Sequence, residues 1–366
     1  MAKVVRKIEI YGYKSIAECK LPLKPLNVLI GANGAGKSNF ISVFRLLNRL
    51  VQEELQNFVA QQGGASHILH FGGQTTDEIT FKFSFGRNGY SCTLKPTDDD
   101  GLFFADEIVS FLGPGYTDPY IEHLPSGTRE TNLLSISRSI GKTVIADHVI
   151  EAFRSWQVYH FHDTSHSAKV KQTGEVEDNK FLRPDASNLA AFLFFLNQKH
   201  LEHYRRIVYT VRLIAPFFKD FALQPSRLND SKIRLEWNQQ GSDIYLDASQ
   251  LSDGTLRMIS LATLLLQPNP PATILIDEPE LGLHPYAIEV LSSLLKAAST
   301  KSQIIISTQS VPLVDTFDAV DIVVVNQKDG VSRFERVQEE ELEVWLENYS
   351  LGEIWAKNLI GARPGA

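Results

Sequence analysis

Cysteine is nearly absent: Cys19 and Cys92 are the only two in 366 residues. That excludes a disulfide framework and a cysteine-built metal cluster, and it suits a reducing interior. Membrane-spanning apolar runs are missing as well, since the longest candidate, around ISLATLLLQ, is about half of one. The amino terminus, MAKVVRKIEIYGYKS, alternates apolar and polar residues and lacks the apolar block of a signal peptide. A cytoplasmic location with no membrane partner is the expectation. Positive charge is not in excess: the net charge is -7, which excludes a globally basic nucleic-acid binder but leaves room for a local basic groove. There is no internal repeat, no low-complexity tail and no heptad array, so a long coiled-coil tether is excluded too.

What is present is ordinary globular composition, 43% hydrophobic and 22% charged, enough for one large or two modest domains. The first 30 residues read as three strands, KIEIYGYKSI, AECKLPL and LNVLI, the last a continuous apolar run suited to burial on both faces. Apolar residues at Phe40, Val43, Phe44, Leu47 and Leu50 then follow a helical period. Residues 77–95 alternate as a hairpin around Gly86 to Gly89, whereas 96–142 read as an irregular excursion and a candidate partner surface. Further on, VIADHVIEAFRSW predicts a helix and QVYHF a strand. The stretch from Ser187 to Phe218 reads as one helical region, and KIRLEW and DIYLDA as short strands. TILID, SQIIIST and DIVVVNQ read as buried strands, with a helix from Tyr286 to Ala298 and short helices at the end. The VVVNQKD segment shares residue types with a guanine-reading motif, but its lysine is misplaced, and a turn after an edge strand is the plainer reading.

Between LNVLI and the helix lies GANGAGKS, Gly31 to Ser38. In G-x-x-x-x-G-K-S the glycines let backbone N–H groups face phosphate oxygens, and the helix N-terminus adds its dipole. Asn33, Gly34, Ala35, Gly36 and Asn39 complete the loop, Lys37 is placed to reach the β- and γ-phosphates of ATP, and Ser38 to hold Mg2+. In TILIDEPE, the strand ends in Asp277, whose carboxylate is placed beside the magnesium, with Glu278 next to it as the group that polarises the attacking water. A second Ser/Gly helix start occurs far downstream, in QLSDGTLRM at Gln250 to Met258. Ser252 and the neighbouring N–H groups form an anion site there. Two phosphate sites in one chain fit a head-to-tail pair, in which each protomer's second loop closes over its partner's γ-phosphate.

GANGAGKSN, LSDGT, IDEPELGLHP and IIISTQS, in that order, resemble the nucleotide-binding head of ABC-type ATPases, and more closely its RecF/SMC/OLD-like branch of AAA-21 and AAA-15 predicted ATPases. WQVYHFHDTS and the closing YSLGEIWAKNLIGARP fit that group, and the likeness covers nearly the whole chain. The resemblance implies an α/β fold: a mixed β-sheet P-loop core, an antiparallel β subdomain and a short helical lobe. It divides the chain into an ATP-binding lobe, 1–165 and 268–366, and a helical lobe, 166–267, carrying the signature loop. It implies an ATP-sandwiched homodimer in which Ser252 and Gly254 make the signature contacts and Glu280 to His284 face the interface. The family's switch histidine corresponds to Gln309, which can hydrogen-bond but not change charge near neutral pH, so slow hydrolysis is expected. The glutamine expected after QVYHF is also absent. His162 or Asp163 is the candidate replacement beside magnesium; a zinc site with His160 and His166 is the rival, and histidines without a special role are the third reading. Lys14, in the IYGYKSI turn, is a candidate contact to base or ribose.

Three functions follow in order. The first is an ATPase (ATP and water to ADP and phosphate) whose closing dimer acts in DNA maintenance or anti-phage defence, with DNA as a candidate partner. The second is an ATP-dependent sensor or scaffold that holds and releases a separately encoded effector. A transporter's ATPase subunit is a weaker third. OLD-type relatives carry a C-terminal nuclease domain; this sequence ends soon after Gln309 without an Asp-x-Asp cluster, so a nuclease or toxic activity is expected from another polypeptide. The basic stretch Lys199 to Lys219 reads either as a phosphate-facing surface or as the solvated side of an amphipathic helix, the latter being favoured.

Overall fold

The computed structural model describes residues 3–138 and 144–363. The chain forms two compact units. The first comprises Met1–Val158, Pro271–Leu275 and Ser302–Ala366. It opens with β1 (Val5–Tyr13), β2 (Ile16–Pro22) and β3 (Leu26–Ile30), followed by α1 (Lys37–Leu50), α2 (Leu55–Gln61) and α3 (Ala65–Ile68). Then come β4 (Ile79–Phe85), β5 (Asn88–Pro96), β6 (Leu102–Phe111), β7 (Tyr120–His123), α4 (Leu133–Ser137), α5 (Val144–Arg154) and β8 (Trp156–Tyr159). An antiparallel sheet runs in the order β2-β1-β4-β5-β6-β7. Its alternating inward residues, among them Ile8, Ile10, Phe81, Phe83 and Leu94, share one core with Phe40, Phe44 and Leu47 of α1 and with Phe153 and Trp156. Each such side chain removed from water contributes roughly 1.5–3 kcal/mol, which is why α1, apolar over a wide face, is fixed firmly at its N-terminus. Both cysteines are buried and free, and burial pushes the Cys19 thiol up to about 12, so it behaves as a small apolar side chain.

The second unit comprises Tyr159–Pro270 and Ile276–Lys301. It contains β9 (Gly174–Glu175), α6 (Leu189–Lys199), α7 (Leu201–Ile214), β10 (Phe218–Phe221), β11 (Lys232–Ile233), β12 (Glu236–Gln239), β13 (Tyr245–Asp247) and α8 (Asp253–Leu266). Of strand β14 (Thr273–Asp277), residues 273–275 are counted with the first unit and 276–277 with the second, to which α9 (Pro285–Ser299) also belongs. Helix α8 packs against α7 and α9, and β10-β12-β13 form a small antiparallel sheet. The rest of the chain adds β15 (Gln303–Thr308), α10 (Val311–Val314), β16 (Ile322–Lys328), β17 (Val331–Arg336), α11 (Glu339–Leu346) and α12 (Leu351–Ala356) to the first unit. The mixed sheet has the order β17-β16-β3-β15-β14-β8, with β15 and β16 parallel to β3 and β17 antiparallel. The α/β fold with a mixed P-loop sheet, an antiparallel sheet and a helical unit is the one the sequence implied. No helix among the described residues is long and apolar enough to cross a membrane.

Three expectations are corrected. The 96–142 segment is not irregular, because it holds β6, β7 and α4; residues 139–142 lie outside the described residues. A bulge hides β6: Leu94 pairs with Phe104 but Thr93 with Asp106, so burial passes from Leu102 and Phe104 to residues 107 and 109. The residue buried at 107 is moreover a glutamate, 0% exposed, held by Tyr90 OH at 2.8 Å, Thr131 Oγ1 at 2.5 Å and the Asn132 N–H at 3.0 Å. The region from Ser187 to Phe218 holds two helices, broken at His200, whose non-helical backbone (φ -137, ψ 53) ends α6 and starts α7. Finally, β16 is not an edge strand; β17 covers it.

Candidate functional site

The glycine loop sits where β3 ends. Ile30 lies between Thr308 of β15 and Val324 of β16, so the chain leaves the sheet at Gly31 beside the point where β15 releases Gln309. Backbone crowding requires glycine here: a Cβ on Gly31 would lie 2.2 Å from the Val325 carbonyl oxygen. One on Gly36 (φ +111) would lie 2.1 Å from Ser332 Oγ. Gly36 is the N-cap of α1, with no side-chain cap hydrogen bond and no acidic residue in the first turn, so α1 brings no negative charge of its own to its positive end. Lys37, 5% exposed, folds back and donates from Nζ to the carbonyls of Gly31 (2.6 Å) and Ala32 (2.9 Å). Asn33, Gly34 and Ser38 are exposed, while Ala35 is buried. A tight glycine loop, an uncapped helix start and one inturned lysine together fit a polyphosphate, and the exposed Ser38 hydroxyl fits a hard cation riding on it.

The loop is braced from both flanks. Asn39 Nδ2 donates to Ser15 Oγ at 2.7 Å, and Ser332 Oγ lies 2.7 Å from Ser15 Oγ and donates to the Ala35 carbonyl at 2.6 Å. Lys14, in the same β1–β2 turn as Ser15, has a left-handed backbone (φ 49) and donates from Nζ to Gln62 Oε1 at 2.8 Å. Burial, and then the charge of Arg45, hold its ammonium below the ordinary lysine value.

In the second unit, Ser252 caps α8: its Oγ accepts the Thr255 N–H at 3.2 Å and lies 2.8 Å from Thr255 Oγ1. Asp253 occupies the first turn, and Lys171 Nζ stands 3.7 Å from its carboxylate. Gly254 is required because a Cβ there would lie 2.5 Å from the Gly282 carbonyl oxygen, so the signature helix starts in contact with the ELGLH segment. Glu278 has φ 44, a left-handed backbone unusual for a residue with a side chain, and Glu280 is buried.

Arg257 was missed in the sequence, and His162 was read there as a candidate beside magnesium rather than as a link. Arg257, 6% exposed, donates from Nε to the Phe161 carbonyl (3.0 Å) and from Nη2 to the His162 carbonyl (3.3 Å). His162 Nε2 in turn donates to the Asp277 backbone carbonyl at 2.7 Å. A lone arginine inside an apolar helix, LRMISLATLLL, was the available signal, and desolvation lowers its pKa from the ordinary guanidinium value. The Asp163 carboxylate accepts from the backbone and hydroxyl of Ser165. No group of three or more His, Cys, Asp or Glu residues able to hold a metal ion occurs among the described residues, so no zinc set forms around His160, His162 and His166.

Strand, glycine loop and helix on a mixed parallel-centred sheet, with an antiparallel sheet alongside, define an ABC-type P-loop ATPase head of the RecF/SMC/OLD-like kind. The chain belongs to the AAA_21 family, described as "AAA domain, putative AbiEii toxin, Type IV TA system", whose profile matches residues 26–315. A relative, the OLD nuclease of Thermus scotoductus (strain ATCC 700910 / SA-01), is 24% identical over 361 residues. The match takes in 90% of this chain and only 63% of the relative's length. The fold is that of a solved Smc head bound to the C-winged helix domain of ScpA, with TM-score 0.57, 16% identity and coverage of 93% and 99% of the two chains. It is likewise that of an Smc head domain with an extended coiled coil bound to the C-terminal domain of ScpA, derived from Pyrococcus furiosus (TM-score 0.54, 16% identity, 94% and 98% covered). Membership makes this chain one of an ATPase family that uses nucleotide, commonly with magnesium.

Proposed function

We propose that the protein is an ATPase whose nucleotide-sandwiched homodimer opens and closes as ATP binds and is hydrolysed. The observation that carries this reading is the uncapped start of α1, with Lys37 folded into the glycine loop beside it. Lys37 and the loop N–H groups take the β- and γ-phosphates, and Ser252 and Gly254 of the second protomer close over the γ-phosphate. Magnesium, when bound, neutralises charge on the phosphate oxygens, and Ser38 and Asp277 are the residues assigned to hold it. Glu278 orients and polarises the attacking water, and Gln309 hydrogen-bonds water or γ-phosphate without changing charge. We assign residues 1–165 and 268–366 to the ATP-binding lobe and 166–267 to the helical lobe that carries the signature loop.

The role we propose for this cycle is DNA maintenance or anti-phage defence, in the cytoplasm, in line with the Smc-like fold and the OLD relative. Gln309 favours a second reading, in which slow turnover times the hold and release of a separately encoded effector. Phosphate release separates the site assignments. Glu278→Gln is expected to lower it about 100-fold or more while ATP still binds, whereas Lys37→Ala is expected to lose ATP binding itself. Wild-type turnover in the Glu278→Gln variant would contradict the assignment.

A further inference from the structure

Two exposed surfaces of opposite character, one in each unit, have no place in the site described so far. The first is a groove in the second unit, about 540 Å3 in volume, between α7, the end of α8 and α9. Leu266 and Leu294 line it with Leu201 and Tyr209, and these last two are 44% and 64% exposed on α7. Arg205 and Arg206 line it as well, and among the described residues Glu202 is its one lining carboxylate. Glu202 stands three and four residues before the two arginines, the spacing at which a helix pairs charges. Even so, among the described residues the ion-paired arginines are Arg49, Arg129, Arg183 and Arg234, and neither Arg205 nor Arg206 is one of them. The groove therefore combines an apolar floor with two uncompensated positive charges, in a chain whose net charge is -7.

The second surface is α11, in the first unit. Leu342 is buried there, while Val344, Trp345 and Leu346 are 75%, 42% and 38% exposed, so the helix is held on one side and shows apolar residues outward. Trp345 packs on Tyr349 with ring centroids 6.2 Å apart, and Lys357 Nζ lies 4.9 Å from the Tyr349 centroid. Residues 339–350 carry five glutamates and no lysine or arginine. A half-exposed tryptophan set among carboxylates is the aromatic anchor of an acidic amphipathic helix.

Each surface has what the other lacks. We infer that α11 of one copy docks in the α7–α9 groove of a second copy, as an amphipathic helix seated in a groove. Trp345 packs against Leu201, Tyr209 and Leu294, and the glutamates of the 339–350 segment face Arg205 and Arg206. The two faces differ, so the contact is heterologous, and a copy engaged through its helix keeps its own groove free. The contact is also small. An eight-residue helix is about 12 Å long, short of the roughly 800 Å2 that each partner covers in a stable interface. It therefore joins concentrated chains and leaves dilute, nucleotide-free protein monomeric. None of its residues belongs to the glycine loop or the signature loop, so it goes beyond the ATP-closed dimer and does not depend on it.

The test is sedimentation velocity of the full chain without nucleotide, at low salt, with protein raised to the order of 100 μM. The wild-type sedimentation coefficient is expected to rise with concentration, and to rise less at high salt. Arg205→Glu with Arg206→Glu, and separately Trp345→Ala, are each expected to weaken this association on the order of ten-fold or more. All three side chains are exposed, so the variants keep the fold. Mixing decides the matter. The Trp345→Ala chain keeps an intact groove and the double arginine variant an intact helix, so their equimolar mixture is expected to form a pair that neither forms alone. A mixture as dissociated as its components would overturn the proposal. A wild-type chain that stays monomeric throughout would do the same, and would leave the groove to an acidic helix of another protein. Association unchanged in both variants but lost in Ser252→Arg would also overturn it, since the contact would then lie at the signature loop.

Discussion

Helix α1 begins after Gly36, with nothing capping it and no acidic residue in its first turn; helix α8 begins after Ser252, whose hydroxyl already serves the Thr255 N–H, and carries Asp253 in its first turn. Both are helix N-termini in a Gly/Ser context, and on the dipole argument alone they would bind anions equally. Their side chains make them unequal. The α1 terminus has its lysine drawn in by two carbonyls and is ready for phosphate. The α8 terminus is satisfied by its own serine and shielded by a carboxylate, so in an isolated protomer it is a stable helix start and a poor phosphate site. That asymmetry suits a loop meant to engage only a phosphate already held by a second protomer.

The comparison can be broken first at Gly254. A methyl group there would push on the Gly282 backbone, and Gly254→Ala is expected to cost about 100-fold in hydrolysis, the scale of a roughly 1 Å misplacement, while nucleotide binding by each protomer stays intact. Nucleotide titration beside a phosphate-release assay checks both halves. A smaller effect sharpens it. Asp253→Asn removes the negative charge from the α8 terminus, and the ATP-closed dimer should tighten a few-fold at low salt, fading as salt screens the charge. Thermal unfolding of the same variant should show a helix loss of about 0.3–1 kcal/mol.

The legible parts of the sequence were those whose physics is local. A buried apolar strand, a glycine loop and an amphipathic helix are contiguous from Leu26 to Leu50, and all of them appear as read. The hairpin of β4 and β5 is likewise marked by alternation and a two-residue turn. Strand β6 escaped because a bulge shifts its phase and a glutamate takes a core position. Strand β17 escaped because its fully buried residue is Ser332, which serves the glycine loop as well as a core. Arg257, and the bond by which the candidate His162 reaches the Asp277 backbone, escaped for a different reason: the partners are far apart along the chain, and only the folded second unit joins the signature helix to the Asp277 backbone.

The central claim, closure of two protomers by ATP, is tested most directly by the solution mass of Glu278→Gln, measured by light scattering with Mg-ATP and without nucleotide. The mass is expected to double only with ATP, and Ser252→Arg in the same background is expected to abolish the doubling. A protein that stays monomeric with ATP, or is already dimeric without it, would contradict the account.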